Sequence, residues 1–153
     1  MTTMPEPLYL EDLFVDQRFR GGPVEVTTEE IKAFAAKFDP QPFHLDETAA
    51  KDSLFGGLVA SGWHTASLTM RLLTQCASFS GGLIGVGGKV EWLRPVLPGD
   101  LLSVEATILR ILPSKSRDDR GMVKMRVVTS NQRGETVQLL DANVLAFRRP
   151  AGP

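Results

Sequence analysis

Cysteine, long apolar runs and an excess of either charge are what this sequence has least of. Cys76 is the only cysteine, so no disulfide can form within the chain. No stretch approaches the roughly 18 apolar residues of a membrane-spanning helix, and Met1 to Pro7 lack the basic and apolar regions of a signal peptide. The 17 Lys and Arg nearly balance the 18 Asp and Glu, unlike the clustered basic excess of nucleic-acid-binding proteins. We therefore expect a cytoplasmic protein that binds neither nucleic acid nor membrane.

Motifs for nucleotides and metals are also missing. No Gly-x-Gly-x-x-Gly or Walker loop follows a predicted strand, and two histidines with one cysteine offer no zinc-ligand spacing. The basic loop around Arg117 also contains Asp118 and Asp119, so a solvated hairpin turn explains it better than a phosphate site. We expect neither a metal nor an organic cofactor.

The length and the 42% apolar content predict one domain with a true core, spanning residues 1–153 with its core at about 8–149. Three helices are indicated. Thr27 and Glu30 have capping-box spacing at the start of the first helix, and Pro40 ends that helix at Asp39. Its apolar stripe would be Ile31, Phe34, Ala35 and Phe38. A short polar helix follows at about 46–52, and a long helix at about 61–78 is apolar around most of its circumference, which predicts burial.

After Gly82 the apolar period changes from helical to two, which is typical of half-buried strands. Strands are predicted at about 89–94, 102–108, 123–127 and 136–148, with a further edge strand at 24–26. Helices first and strands last indicate an α+β fold with an antiparallel sheet. Because the sheet must cover one long apolar helix, the simplest architecture wraps the sheet around that helix, which is a hotdog-like arrangement.

Asp39 and His44 lie five residues apart in a segment that Pro40 and Pro42 are expected to keep extended and stiff. A carboxylate and an imidazole held within reach of one proton can act as general acid and base. An isolated match of this kind is more often a proline-rich connector with a surface histidine.

The start of the long helix is a second candidate site. Helix N-termini present unpaired backbone N–H groups, and Gly62, without a side chain, would let a substrate carbonyl approach its N–H as an oxyanion hole requires. The alternative is that the glycines here only form a tight turn and have no role in binding. His64 either lines this site or caps a backbone group. Cys76, deep in the apolar helix, is expected to be an inert core residue.

The residues 38–46 (FDPQPFHLD), together with Ala50 and residues 55–63 (FGGLVASGW), resemble the MaoC-like dehydratases and (R)-specific enoyl-CoA hydratases. The family motif runs roughly D-x-N-P-x-H-x-D and then [IV]-[AV]-H-G. The segment from Val90 to Asp100 resembles the family's strand-to-turn signature, and the order of elements agrees along nearly the whole chain.

The resemblance implies a hotdog fold and a lyase of fatty acid metabolism that adds water across the C2=C3 bond of a 2-enoyl-CoA, or removes it. Asp39 and His44 would activate the water as catalytic residues, and Gly62 N–H would polarise the thioester carbonyl. The substrate would be an acyl-CoA or acyl-carrier thioester, with CoA as part of the substrate and not a cofactor. A homodimer or larger homo-oligomer is expected.

Three positions depart from the family pattern. Gln41 stands where the family has Asn, and Ser61 replaces the His that usually precedes the glycine, while His64 follows two residues after it. Met70 occupies a position where some hydratases carry a serine, and Ser67, one turn earlier, is a substitute candidate. We therefore count Ser61, His64 and Ser67 with Gly62 as candidate substrate-binding residues.

Two other functions remain possible. A hotdog thioesterase would use the same fold to attack the thioester carbonyl with water, but such enzymes commonly use a carboxylate on the central helix, and residues 62–77 contain no Asp or Glu. A non-catalytic acyl-thioester-binding subunit is the other alternative, favoured only by the departures at Gln41 and Ser61.

Overall fold

Five antiparallel strands wrap around one long helix in the computed structural model, which describes residues 6–152. The sheet order is β1-β3-β4-β5-β2. Its strands are β1 (Arg18–Glu25), β2 (Ile84–Trp92), β3 (Leu101–Pro113), β4 (Arg120–Ser130) and β5 (Thr136–Phe147). The predicted α+β hotdog architecture is confirmed. Of residues 1–7, which are expected to lack the regions of a signal peptide, 1–5 lie outside the described range.

The helices are α1 (Thr28–Phe38), α2 (Pro42–Leu45), α3 (Glu47–Lys51) and α4 (Gly62–Cys76), and a 3₁₀ turn (Leu10–Asp12) precedes β1. Thr27 caps α1 as predicted, its hydroxyl accepting from the Glu30 N–H at 3.2 Å. Asp46 caps α3 through Thr48 N–H, and Ser61 caps α4 through Trp63 N–H. Among residues 6–152, no helix combines the length and apolar character needed to cross a membrane.

The core lies between α4 and the concave face of the sheet. Leu102, Val104, Ala106 and Ile108 alternate with exposed or half-buried neighbours along β3, as the period of two predicts. Residues from β4 and from the inner face of α4, such as Met125 and Leu73, complete the larger of two apolar clusters. The smaller cluster joins α1 to α4 through Ile31 and Leu68.

The burial predicted for α4 is wrong on one side. Six residues spaced at helical intervals are exposed within the subunit: Trp63, Ser67, Met70, Arg71, Thr74 and Gln75. The apolar residues that suggested burial all round therefore include two, Trp63 and Met70, that are 58% and 43% exposed. Phe38, assigned to the apolar stripe of α1, is likewise 63% exposed.

Two local predictions also need correction. The segment 40–44 is not extended throughout, because Pro42 opens the short helix α2; proline is favoured at the first helical position, where its missing N–H costs nothing. Strands β1 and β2 begin six and five residues earlier than predicted. Glycine-rich and charged stretches conceal both strands from a hydrophobic pattern.

Candidate active site

Asp39 lies at the C-terminal end of α1, where Pro40 stops the helix. Two neighbouring side chains donate hydrogen bonds to its carboxylate: Gln41 Nε2 to Oδ1 at 2.6 Å and Ser61 Oγ to Oδ2 at 2.7 Å. Both bonds favour the charged form and lower the pKa of Asp39 from its ordinary value of 3.8. The bond from Gln41 has the largest effect, followed by that from Ser61. The carboxylate is therefore ionised at neutral pH.

His44 is buried on α2, and a backbone carbonyl fixes its ring. Its Nδ1 lies 2.7 Å from the oxygen of Val59. A carbonyl only accepts hydrogen bonds, so Nδ1 carries a hydrogen and donates it. The other nitrogen, Nε2, faces Asp39 Oδ2 at 3.3 Å. The structure thus brings Asp39 and His44 together and leaves Nε2 as the ring atom that can gain or lose a proton.

Ser61 links this pair to the start of α4. Its side chain is fully buried, and its hydroxyl accepts from Trp63 N–H at 3.2 Å while donating to Asp39. Gly62 follows as the first residue of the helix, a position whose backbone N–H has no partner within the helix. The carboxylate and the positive end of α4 are therefore held on the two sides of one serine.

A cavity of ≈ 400 Å³ opens beside these residues, within the range of small-molecule sites. His44 and Gly62 both line it, whereas Asp39 does not. Thr65 and Arg94 contribute polar groups to the wall. The remaining lining is apolar and partly aromatic, formed by Phe43, Phe55, Val59, Ala60, Trp92, Leu93, Pro95 and Val96.

Trp92, on β2, packs directly over Gly62. A Cβ built on this glycine would lie only 2.6 Å from the indole Cε2, so no other residue fits without moving the ring. The indole N–H donates to Gln138 Oε1 on β5 at 2.9 Å. The glycine is therefore required by packing as well as by any approach of a substrate to its N–H.

Two of the remaining candidates lie away from the cavity. His64 is buried and stacks on Phe34 with 4.9 Å between ring centroids, and its Nδ1 has no hydrogen-bond partner among residues 6–152. Burial lowers the pKa of this imidazole, so it is held neutral. Ser67 belongs to the exposed side of α4 and donates to Trp63 O at 2.8 Å. Within the subunit neither side chain lines the wall, so the expectation that they bind substrate is not supported by their position.

Cys76 has the features of an inert residue. It is partly buried near the end of α4, and burial raises the pKa of its thiol, which disfavours the nucleophilic thiolate. Among residues 6–152, no three His, Cys, Asp or Glu side chains are grouped closely enough to hold a metal ion.

Sequence reasoning missed several parts of the site. The Val59 carbonyl that orients His44 carries no signal, since any residue supplies a carbonyl. Trp92 lies inside the segment Val90–Asp100 that carried the family resemblance, yet nothing local indicates that its ring covers Gly62. Gln41 was noted only as a departure, and it proves to be a direct partner of Asp39.

Known proteins share both sequence and structure with this chain. A family model described as "MaoC like domain" matches residues 14–132. The crystal structure of a MaoC-like dehydratase from Rhodospirillum rubrum is 56% identical, with a TM-score of 0.91, covering 94% of this chain and 99% of that one.

Two curated relatives are more distant. The uncharacterized protein YdeM of Bacillus subtilis is 30% identical over 143 residues, which is 91% of this chain and 99% of YdeM. The 3-hydroxybutyryl-CoA dehydratase of Methylorubrum extorquens is 29% identical over 116 residues, 72% of this chain and 69% of that protein. With the family model covering most of its length, the chain belongs to the MaoC-like dehydratase family.

Proposed function

We propose that this protein is a hydratase or dehydratase of 2-enoyl and 3-hydroxyacyl thioesters of CoA, with Asp39 and His44 as its catalytic residues. One observation carries the proposal: His44 Nε2 lies 3.3 Å from the Asp39 carboxylate, in the wall of a cavity that Gly62 at the start of α4 also lines. The dehydratase activity that names the Methylorubrum extorquens relative supports the same reaction and a CoA substrate.

The pair suits a water molecule that donates hydrogen bonds to both side chains. With Nδ1 donating to Val59, an imidazole that acts as the base offers a lone pair at Nε2, and the ionised Asp39 also only accepts. Two acceptors side by side attract a molecule that can donate twice. Water does so, and its oxygen is then left free to attack carbon.

The hydrogen bonds support a separate role for each group. His44 Nε2 takes a proton from water as the oxygen bonds to C3, and the π electrons move to form an enolate at the thioester. Gly62 N–H donates to the enolate oxygen. Nε2 then returns a proton to C2, which restores the enzyme. Asp39 stays ionised throughout, orienting the water and stabilising the imidazolium. Dehydration runs through the same steps in reverse.

This reaction transfers only water and a proton. It changes no oxidation state overall, so the proposal calls for no redox cofactor, and the carbonyl is polarised by a backbone N–H and not by a metal. The lining near His44 is mostly apolar, and polar interactions are stronger in less polar surroundings.

We also infer that two copies of the chain assemble through a surface formed by α4 and β2. Its members are the exposed apolar side chains Trp63, Met70, Ile84, Val86 and Trp92, and Trp63 joins the helix to the strand by an edge-to-face contact with Trp92 at 5.0 Å. Strand β2 is at one edge of the sheet, and its first five residues carry no charge. The opposite edge, β1, has Arg18, Arg20 and Pro23, which discourage strand pairing.

The function is tested with a panel of trans-2-enoyl-CoAs, following loss of enoyl absorbance and release of free thiol together. We expect the first signal without the second. Thiol release without loss of the double bond would identify a thioesterase instead, and binding without either signal would identify a non-catalytic subunit.

The catalytic pair is tested by single and double variants. Asp39→Asn removes the charge and keeps the shape, while His44→Gln removes the imidazole ring. Positioned proton transfer contributes about 10²–10⁴-fold, so each variant should lose at least ~10²-fold in kcat/KM. Groups that act as a unit are strongly non-additive, so the double variant should fall little further.

The matched control is His64→Gln, which changes the other histidine of the chain, one that does not line the cavity. It should retain most of the activity. Loss of turnover in His64→Gln with survival of His44→Gln would mean that the water lies elsewhere, nearer α1.

A further inference from the structure

The cavity penetrates only a short way along α4. Gly62 and Thr65 line it, but the next inward-facing residues of the helix, Leu68 and Thr69, do not. Three residues of helix correspond to roughly 4.5 Å at a rise of about 1.5 Å per residue. A substrate whose carbonyl lies at Gly62 therefore has little depth available for its acyl chain.

A buried polar network lies behind this inner wall. Gln138 Nε2 donates to Thr69 Oγ1 at 3.0 Å, and Thr69 Oγ1 lies 2.7 Å from Thr129 Oγ1. All three side chains are at most 1% exposed. Thr69 also donates to the Thr65 carbonyl at 2.9 Å, so Thr129 must donate to Thr69, and every hydroxyl has a partner. An alkyl chain that entered this region would break these hydrogen bonds and, having no polar atoms, would leave the hydroxyl and amide groups unpaired.

Trp92 closes the wall in front of the network. Its indole N–H can only donate, which forces Gln138 to turn its amide oxygen towards the ring and its amide nitrogen towards Thr69. The ring is thereby anchored at its nitrogen to a fully buried residue and rests against Gly62 at its centre. A side chain held at both points is a fixed wall and not an adaptable one.

We propose that Trp92, held in position by Gln138, limits this enzyme to thioesters with short acyl chains of about four to six carbons, the length that one turn of helix leaves room for. Trp92 is then a specificity-determining residue, and Gln138 a positioning residue that acts through it. The inference rests on the proposed function, since it concerns the acyl chain of the same substrate.

The test compares kcat/KM for trans-2-butenoyl-, hexenoyl-, octenoyl- and decenoyl-CoA. A single methylene in an apolar pocket changes selectivity by roughly 10–200-fold. We expect wild-type kcat/KM for decenoyl-CoA to lie at least ~10-fold below that for butenoyl-CoA. Trp92→Ala should raise the decenoyl-to-butenoyl ratio at least ~10-fold. Gln138→Leu keeps the indole and removes its acceptor, so it should relax the same ratio partially.

Two further variants distinguish a specific effect on the cavity from a general loss of folding. Trp92→Phe keeps an aromatic ring without the N–H and should fall between the wild type and Trp92→Ala. Phe14→Ala removes an aromatic ring that is 60% exposed and outside the cavity, and its chain-length profile should match that of the wild type. A wild-type profile that is flat or rises with chain length would overturn the inference. So would a Trp92→Ala variant that changes all four substrates by one factor.

Binding separates failure of this inference from failure of the proposed function. Calorimetric affinities for butyryl-CoA and decanoyl-CoA report the depth of the cavity without any reaction. If no enoyl-CoA is hydrated, the proposed function fails. The chain-length inference is still supported if butyryl-CoA binds more tightly than decanoyl-CoA and Trp92→Ala reverses that order. Without this pattern of affinities, the chain-length inference is wrong as well.

Discussion

At Gly62 the lack of a side chain serves two purposes, and only one of them concerns chemistry. The backbone N–H at the first position of α4 has no intrahelical partner, which suits a developing oxyanion. The Cα also lies under the Trp92 ring, where a Cβ would collide at 2.6 Å. A valine at this position would therefore disturb packing and catalysis together, and its loss of activity would not identify the cause.

A pair of substitutions at Gly62 separates the two purposes. Gly62→Ala and Gly62→Pro both add the Cβ, but only proline removes the N–H. Proline is favoured at the first helical position, and Ser61 already has the extended backbone that precedes proline (φ −58°, ψ 141°). If the N–H stabilises the enolate, Gly62→Pro should lose about 10²–10³-fold more kcat than Gly62→Ala. Equal kcat values in the two variants, each folded by circular dichroism, would assign the glycine to packing alone.

The spacing of Asp39 and His44 in the sequence was enough to predict a shared site, because both residues lie in one short segment stiffened by prolines. The proton positions were not predictable. They depend on the Val59 carbonyl and on Ser61, which contact the pair although they follow α3 in the sequence. The sequence left open which group exchanges a proton, whereas the contact from Nδ1 to a carbonyl supports the proposal that it is Nε2.

At the scale of elements, the N-terminus of α4 combines capping with electrostatics. Ser61 accepts from Trp63 N–H as an ordinary cap and donates to Asp39 with the same hydroxyl. The two roles are compatible because a hydroxyl has one donor and two acceptor sites. Ser61 therefore fixes the carboxylate relative to the helix end, a geometry that α1 and α4 alone would leave loose.

Substitutions at Ser61 distinguish its two roles. Ser61→Ala removes both and should lower the free energy of unfolding by about 0.5–2 kcal/mol. Ser61→Gly should cost only a few tenths of a kcal/mol through the cap. Both variants should lose about 10-fold or more in kcat/KM, since a hydrogen bond to a charged group contributes about 1.5–3 kcal/mol.

The control for Ser61 is Thr27→Ala, which removes the cap of α1 and touches neither Asp39 nor the cavity. Urea denaturation should show a comparable loss of stability with unchanged kcat/KM. If Thr27→Ala reduces activity as much as Ser61→Ala does, the effect at Ser61 is general loosening and not the bond to Asp39.

Elements with a regular apolar period were predictable, and those without one were not. The alternation in β3 and β4 and the cap at Thr27 identified these elements correctly. Strand β1 was largely missed because Arg18–Glu25 is rich in charge and glycine, and its identity as a strand comes from pairing with β3. The exposed side of α4 was missed because an apolar side chain has the same sequence signature whether its own subunit or another molecule covers it.

At the scale of the molecule, the two edges of the sheet differ in a way that supports the proposed assembly. The surface formed by α4 and β2 exposes two tryptophans, and isolated proteins rarely leave such contiguous apolar area uncovered. A second copy related by a twofold axis would cover each such surface with its equivalent. The Trp92 wall of the cavity would then lie near the interface, so assembly and substrate binding would depend on the same strand.

Sedimentation velocity at micromolar concentration tests this assembly. Wild-type protein should sediment as a dimer or larger species of the 16.7 kDa chain. Val86→Lys puts a charge on β2 and, by symmetry, two charges into one interface, so it should shift the population towards monomer. Val15→Lys is the matched control, because Val15 is 52% exposed and Val86 53%, yet Val15 lies in the turn before β1. Its sedimentation should match that of the wild type. A wild-type chain that is monomeric and fully active at this concentration would contradict the proposed assembly. An equal response of the two lysine variants would mean that the contact lies on a face other than that of α4 and β2.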